Sequence, residues 1–169
     1  MFLRPAGPGL ETSYTKSALS DILVDTNVLV YSFDPRDRLK QELARQVFAH
    51  LARSGRVVLS VQCLTEFFRT VRWRLPDPLS PERALLEVTR FDAACTVLDL
   101  TTSIVLQACR ASNSYQMSIW DALIWAVARA NSIPFVLTED VEHDTILDGV
   151  HFLNPFHQAF DITVLEPQA

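Results

Sequence analysis

The sequence predicts an α/β domain in three α/β/α layers, with helices packed on both faces of a central, mostly parallel sheet of four to five strands. Two observations carry that prediction. Short apolar runs alternate with helical segments, the order that repeated strand–helix–strand crossovers produce. The runs are also apolar throughout, as expected of parallel strands covered on both sides.

The elements follow in order. Ile22 to Val30 is apolar apart from Asp25-Thr26-Asn27 and reads as a first buried strand. Leu43, Val47, Phe48 and Leu51 fall near one helical stripe, so a helix is expected from Leu39 to Arg53, closed by Ser54-Gly55. Val57 to Val61 is a second strand. Leu64, Phe67, Phe68, Val71 and Leu75 mark the helix after it, which Pro76-Asp77-Pro78 stops. Ser80-Pro81-Glu82 opens the next helix with a cap residue, a proline at the first helical position and an acid in the first turn. Thr96 to Leu100 is a third strand, and Thr101 can cap a helix carrying Ile104, Val105 and Ala108. Ile119 to Ala130 is apolar nearly all round and should be buried. Ile133 to Thr138 is a fourth strand. Val150 to Leu153 is a candidate fifth, ended by Asn154-Pro155.

Residues 1–20 hold Pro5, Gly7, Pro8 and Gly9 and little periodicity, so they are expected to form a flexible extension. A single domain is expected over residues 21–160, with residues 161–169 as a tail. At 169 residues, 49% hydrophobic and 21% charged, the chain can bury a core of its own and is no disordered protein. It contains no apolar run near the ~20 residues that span a bilayer. Nor does a secretory apolar region follow Met1-Phe2-Leu3-Arg4-Pro5, so a cytoplasmic protein is expected. Cys63, Cys95 and Cys109 are an odd set without C-x-x-C spacing and read as buried thiols of a reducing compartment.

The net charge of −5 argues against a surface that coats nucleic acid. It does not exclude a nuclease, because acidic metal ligands give the metal-free chain the same sign.

Four acids stand beside the apolar elements: Asp25 after the first strand, Glu66 in the helix after the second, Asp121 near the start of the apolar helix, and Asp140 after the fourth strand. Each has an ordinary explanation. Asp25 and Asp140 can cap turns, Glu66 can sit solvated on a helix, and Asp121 can face the helix dipole. Together they lie toward the carboxyl edge of the sheet, where open α/β sheets bind ligands. Carboxylates crowded there would repel one another and favour a hard divalent cation. The chemistry this points to is metal-dependent hydrolysis, with phosphodiester cleavage foremost. His50, His143, His151 and His157 form no recognisable pair, which disfavours a histidine-based nuclease.

Val24-Asp25-Thr26-Asn27-Val28-Leu29-Val30-Tyr31, Leu64-Thr65-Glu66-Phe67-Phe68, Ser118-Ile119-Trp120-Asp121-Ala122-Leu123-Ile124 and Leu137-Thr138-Glu139-Asp140 recur in order along the chain. With Asp148-Gly149-Val150 and Asn154-Pro155-Phe156, they make it resemble PIN-domain proteins, in particular the VapC group of toxin ribonucleases, over roughly residues 22–156. The resemblance implies a PIN-like fold and an endoribonuclease that is the toxin of a toxin–antitoxin pair. Asp25, Glu66, Asp121 and Asp140 would be catalytic, with Asp25, Asp121 and Asp140 holding Mg²⁺ or Mn²⁺. Thr26, Asn27, Ser118 and Thr138 would support them. RNA would be the substrate and a cognate antitoxin the partner. A homodimer is implied too, for which the Leu64–Trp73 and Leu85–Phe91 helices are candidate interfaces, although core packing explains both equally well.

One position departs from the pattern. Asp144 stands where related sequences often carry glycine; it is either an additional metal ligand or a solvated loop acid, and the loop reading is favoured. Glu139 is expected to point away from Asp140, because neighbours in an extended segment face opposite sides. Arg69 and Arg72 share a helix face and are candidate RNA-backbone contacts, although an ordinary basic surface explains them as well. Trp73 is a candidate for stacking on a base, with core cover at the helix end the favoured reading, and Arg36-Asp37-Arg38 is a weaker phosphate-contact candidate.

Two rival functions remain open at this level. An aspartyl-phosphate phosphatase would need an acid two residues after Asp25, where Asn27 stands. A catalytically silent module would use the acidic cleft to receive a basic partner segment.

Overall fold

The structure is a computed structural model, and it describes residues 21–166. The expected extension over residues 1–20 therefore lies outside the described residues. Strand β1 (Ile22–Val24) leads into the short helix α1 (Thr26–Tyr31) and then α2 (Arg38–Arg53). Next come β2 (Val57–Ser60), α3 (Val61–Trp73), α4 (Pro81–Ala94), β3 (Thr96–Leu98), α5 (Thr102–Tyr115) and α6 (Ile119–Ala130). The chain continues through β4 (Phe135–Leu137), β5 (Thr145–Leu147) and β6 (Val150–Leu153), and a 3-10 turn forms at Ile162–Leu165.

The sheet order is β3-β2-β1-β4-β6-β5, parallel except for β5, which pairs antiparallel with β6. Strand β1 lies between β2 and β4, with Val24 opposite Leu137 of β4. The order reverses direction between β1 and β4, and that switch point is where an open parallel sheet leaves a crevice at its carboxyl edge. Helices α5 and α6 pack together, with α6 on β4 and β6; α1 to α4 form a second group, and α2 and α3 contact β2. The three-layer arrangement expected from the sequence is thus the one found.

The helix boundaries follow their caps. Ser60, Ser80, Thr101 and Ser118 each accept a hydrogen bond from the backbone N–H three residues on, satisfying a donor that the first helical turn leaves free. Helix α6 buries Ala122 through Ala128 without a break, as its apolar composition requires.

Several expectations are corrected. The apolar run from Ile22 to Val30 is not one strand. Asp25 caps α1 by accepting from Thr26 N, and Val28 and Leu29 enter the core from a helix. The sheet has six strands, where four to five were expected. The extra one, β5, belongs to a hairpin turned by Asp148 and Gly149, both at positive φ (47° and 83°). Asp-Gly is the dipeptide that such two-residue turns favour, so the signal was present in the sequence.

Cys63 is buried, but Cys95 is only partly buried and Cys109 is exposed, so the thiols are not uniformly interior. Trp73 is 62% exposed and packs edge-on against Phe68 without covering the core. His143 and His157 do pair, their rings stacked 4.5 Å apart. Within the stretch expected as a tail, Leu165 is buried in the main hydrophobic cluster.

Candidate metal centre at the switch point

Asp25 ends β1 and is 7% exposed. Its Oδ1 accepts from Thr26 N at 2.6 Å, and its Oδ2 accepts from Thr138 Oγ1 at 2.7 Å and from Asn27 Nδ2 at 3.1 Å. These bonds are needed to hold a carboxylate where water is excluded. They do not fully offset the desolvation. Burial, with the charges of Asp140 and Asp121 nearby, pushes the Asp25 carboxyl up to about 7, against the lowering effect of Thr138 and Thr26.

Asp121 occupies the first turn of α6. Ser118 Oγ accepts from its backbone N–H at 3.1 Å and donates to its Oδ2 at 2.7 Å, so one hydroxyl fixes both the helix start and the carboxylate. Burial raises the Asp121 carboxyl as well, and Asp140 adds to the rise. Asp140 stands in the loop after β4, where its N–H donates to Thr138 Oγ1 at 3.2 Å and its Oδ2 accepts from Asn27 Nδ2 at 3.0 Å. The Asn27 amide thereby joins the acids of β1 and β4.

One carboxylate oxygen from each of Asp25, Asp121 and Asp140 lies within 4.8 Å of the others. Three anionic oxygens this close, one of them deprived of water, are a poor arrangement for an empty site and a suitable one for Mg²⁺ or Mn²⁺, which take hard oxygen ligands. Asn27 Oδ1 and Gln62 Oε1 add buried acceptors with no hydrogen-bond partner among the described residues. The donor set contains no sulfur and no imidazole, so it does not favour zinc or copper.

The acids share a cavity of about 270 Å³ that Glu66 also lines. Glu66 lies on α3, and Gln62, one turn earlier, donates to its Oε1 at 2.8 Å. All four sequence-derived acids thus face one space. Thr26 and Asn27 line the same cavity, and Thr138 and Ser118 reach it through Asp25 and Asp121.

Other candidates are placed differently. Glu139 lines the cavity, yet its carboxylate is turned to Tyr31, whose hydroxyl donates at 2.5 Å, and to an ion pair with Lys40. Asp144 does not line the cavity; it adopts φ 71°, a conformation easiest for glycine, and pairs with His151 at 2.6 Å. Arg69 is exposed and lines a neighbouring groove with Trp120 and Leu123. Arg72 points to the α3–α4 connection, where it donates to the Leu79 carbonyl. The two arginines therefore do not act on one place.

Gln62, Asp34 and Trp120 line the cavity without having been singled out from the sequence. The spacing of Gln62 four residues before Glu66 on one helix was the readable sign. Asp34 and Trp120 carried none.

The chain matches the PIN domain family over residues 22–146. It therefore belongs to the PIN-domain family. No curated protein matches its sequence. Among solved structures, VapC20 of Mycobacterium tuberculosis, described as a sarcin–ricin loop cleaving toxin, is 21% identical. Its TM-score is 0.56, with 69% of this chain and 87% of that chain covered. DNA-bound VapBC from Salmonella typhimurium is 20% identical with a TM-score of 0.59, covering 81% of this chain and 99% of the other. A toxin–antitoxin complex from Klebsiella pneumoniae is 18% identical with a TM-score of 0.58, covering 80% and 98%. At these identities the likeness is one of fold.

Proposed function

We propose that this chain is a divalent-metal-dependent endoribonuclease that cleaves RNA phosphodiester bonds and serves as the toxin of a toxin–antitoxin pair. The observation that carries the reading is the convergence of Asp25, Asp121 and Asp140 oxygens within 4.8 Å, in a cavity that Glu66 also lines. Asp25, Asp121 and Asp140 hold Mg²⁺ or Mn²⁺. When bound, the cation supplies Lewis-acid polarisation of a phosphodiester oxygen and eases deprotonation of the attacking water. Thr138, Asn27 and Ser118 fix the orientation of the three carboxylates, and Glu66, steadied by Gln62, orients the water.

Membership of the PIN-domain family and the likeness to toxin–antitoxin structures support the biological role and a cognate antitoxin as partner. The protein acts in the cytoplasm, a compartment suited to its three free thiols. No described helix is long and apolar enough to cross a membrane. A homodimer fits the apolar side chains left outward on α4, where Leu85 and Leu86 are 61% and 43% exposed.

The test is cleavage of a mixed RNA substrate with added Mg²⁺ or Mn²⁺. Asp25→Asn and Asp121→Asn should lose roughly 10²-fold or more in rate, the scale of removing a principal electrostatic contribution. Equal rates for these variants and the parent would overturn the reading.

A further inference from the structure

Six acidic side chains line the cavity, which makes it a poor host for a polyanion unless cations also face it. Among its lining residues, Arg36 is the only lysine or arginine. Its position is determined by the loop between α1 and α2. Asp34, 3% exposed, lies in the turn just past α1, where its backbone N–H donates to the Val30 carbonyl at 3.1 Å. Its carboxylate accepts from Arg36 N at 3.0 Å, from Nε at 2.9 Å and 3.0 Å, and from Nη2 at 2.5 Å.

The guanidinium is therefore gripped along one edge. Its Nη1 has no partner among the described residues, and the side chain is 59% exposed. A planar cation held on one edge by a buried carboxylate, with its remaining N–H groups directed elsewhere, is preorganised for a tetrahedral oxyanion. The same Asp34 carboxylate accepts from the Arg36 backbone N–H, so it fixes both the turn and the guanidinium.

Resting on the nuclease reading, we propose that Arg36 binds a phosphate of the RNA strand next to the scissile one, and that Asp34 is its positioning residue. The contact is the same in the ground state and the transition state. It therefore acts on binding and not on the chemical step.

The experiment compares the parent with Arg36→Ala, Arg36→Lys, Asp34→Asn and the double variant Asp34→Asn/Arg36→Met. The double variant removes the pair together, so no buried charge is left uncompensated if Arg36→Ala fails to fold. A labelled single-stranded RNA is titrated in EDTA across a salt series, and cleavage is followed separately with Mg²⁺. Arg36→Ala and the double variant should bind roughly tenfold more weakly, with the slope of log affinity against log salt reduced by about 0.7 for one lost phosphate contact. KM should rise by a similar factor while kcat stays within about threefold. Arg36→Lys should keep the parent's salt slope with intermediate affinity. Asp34→Asn should keep the slope and raise KM, a separation that a merely structural role would not give.

Affinity, slope and KM unchanged in the double variant and in Arg36→Ala would overturn the inference while leaving the nuclease reading intact. A parent that neither binds RNA nor cleaves it would overturn both.

Discussion

Thr138 Oγ1 donates to Asp25 Oδ2 at 2.7 Å and accepts from the Asp140 N–H, so one hydroxyl links the carboxylate at the end of β1 to the loop that carries Asp140. Thr138 is itself buried, and its hydroxyl also accepts from Asn27 Nδ2 at 3.0 Å.

Thr138→Val keeps the shape of the side chain and removes all three bonds. It should destabilise the fold by about 1–3 kcal/mol, the cost of leaving buried polar groups unmet. Thr138→Ser should recover most of that loss. Urea unfolding of the three proteins, followed alongside metal-dependent RNA cleavage, checks both points.

The raised Asp25 carboxyl gives the stability a definite pH dependence. The folded state holds the proton up to about 7, whereas an unfolded aspartate releases it near 3.8. Between those values the folded chain binds more protons than the unfolded one. Stability of the metal-free protein is then fully present below the lower value and is lost as pH rises through the upper. Compared with Asp25→Asn, which lacks the titration, the parent in EDTA should lose on the order of a few kcal/mol between pH 4 and pH 7.5. Mg²⁺ or Mn²⁺ should restore melting temperature at pH 7.5 far more than at pH 5. Parallel pH profiles for the two proteins would contradict this account.

Glu139 and Asp140 are neighbours in sequence with different surroundings. Glu139 is occupied by Tyr31 and Lys40, and Asp140 belongs to the close carboxylate triad. Asp140→Asn should weaken divalent-cation binding by roughly tenfold to a hundredfold, whereas Glu139→Gln should leave it within about twofold. Isothermal titration with Mn²⁺ distinguishes them.

Phe67 of α3 is fully buried and meets Phe33 and Phe91 edge-to-face, with centroids 5.3 Å and 5.1 Å away. Phe67→Ala should cost about 3–5 kcal/mol, since the rigid rings around it cannot close the cavity. Denaturant midpoints at constant slope give the measurement.

Much of this architecture was legible in the sequence because the caps and breakers agree with the apolar pattern. Ser80-Pro81-Glu82 and Thr101 start helices where expected, and Pro76-Asp77-Pro78 ends one. The four acids were legible as a set, since each follows or flanks a buried element near one sheet edge. What escaped was conformation that tertiary contacts decide. Val28 and Leu29 suit a strand or a helix equally by hydrophobicity, and the Asp25 cap selects the helix. The short strand β5 has only an edge position, with Ile146 67% exposed, so the Asp148-Gly149 turn is its one readable sign and no buried run supports it. The Asp34–Arg36 fork and the stacked His143–His157 rings depend on side-chain directions that spacing alone does not encode.

The central place of β1, flanked by β2 and β4, also sets when the acidic pocket can be complete. Its carboxylates are contributed from chain positions 25, 66, 121 and 140, so no fragment or growing chain that stops short of the last holds a complete set. Loss of the pocket and loss of the global fold should therefore coincide on heating. On the proposed function, a cell making this protein would meet its chemistry only after nearly the whole domain has been synthesised and has closed around its middle strand.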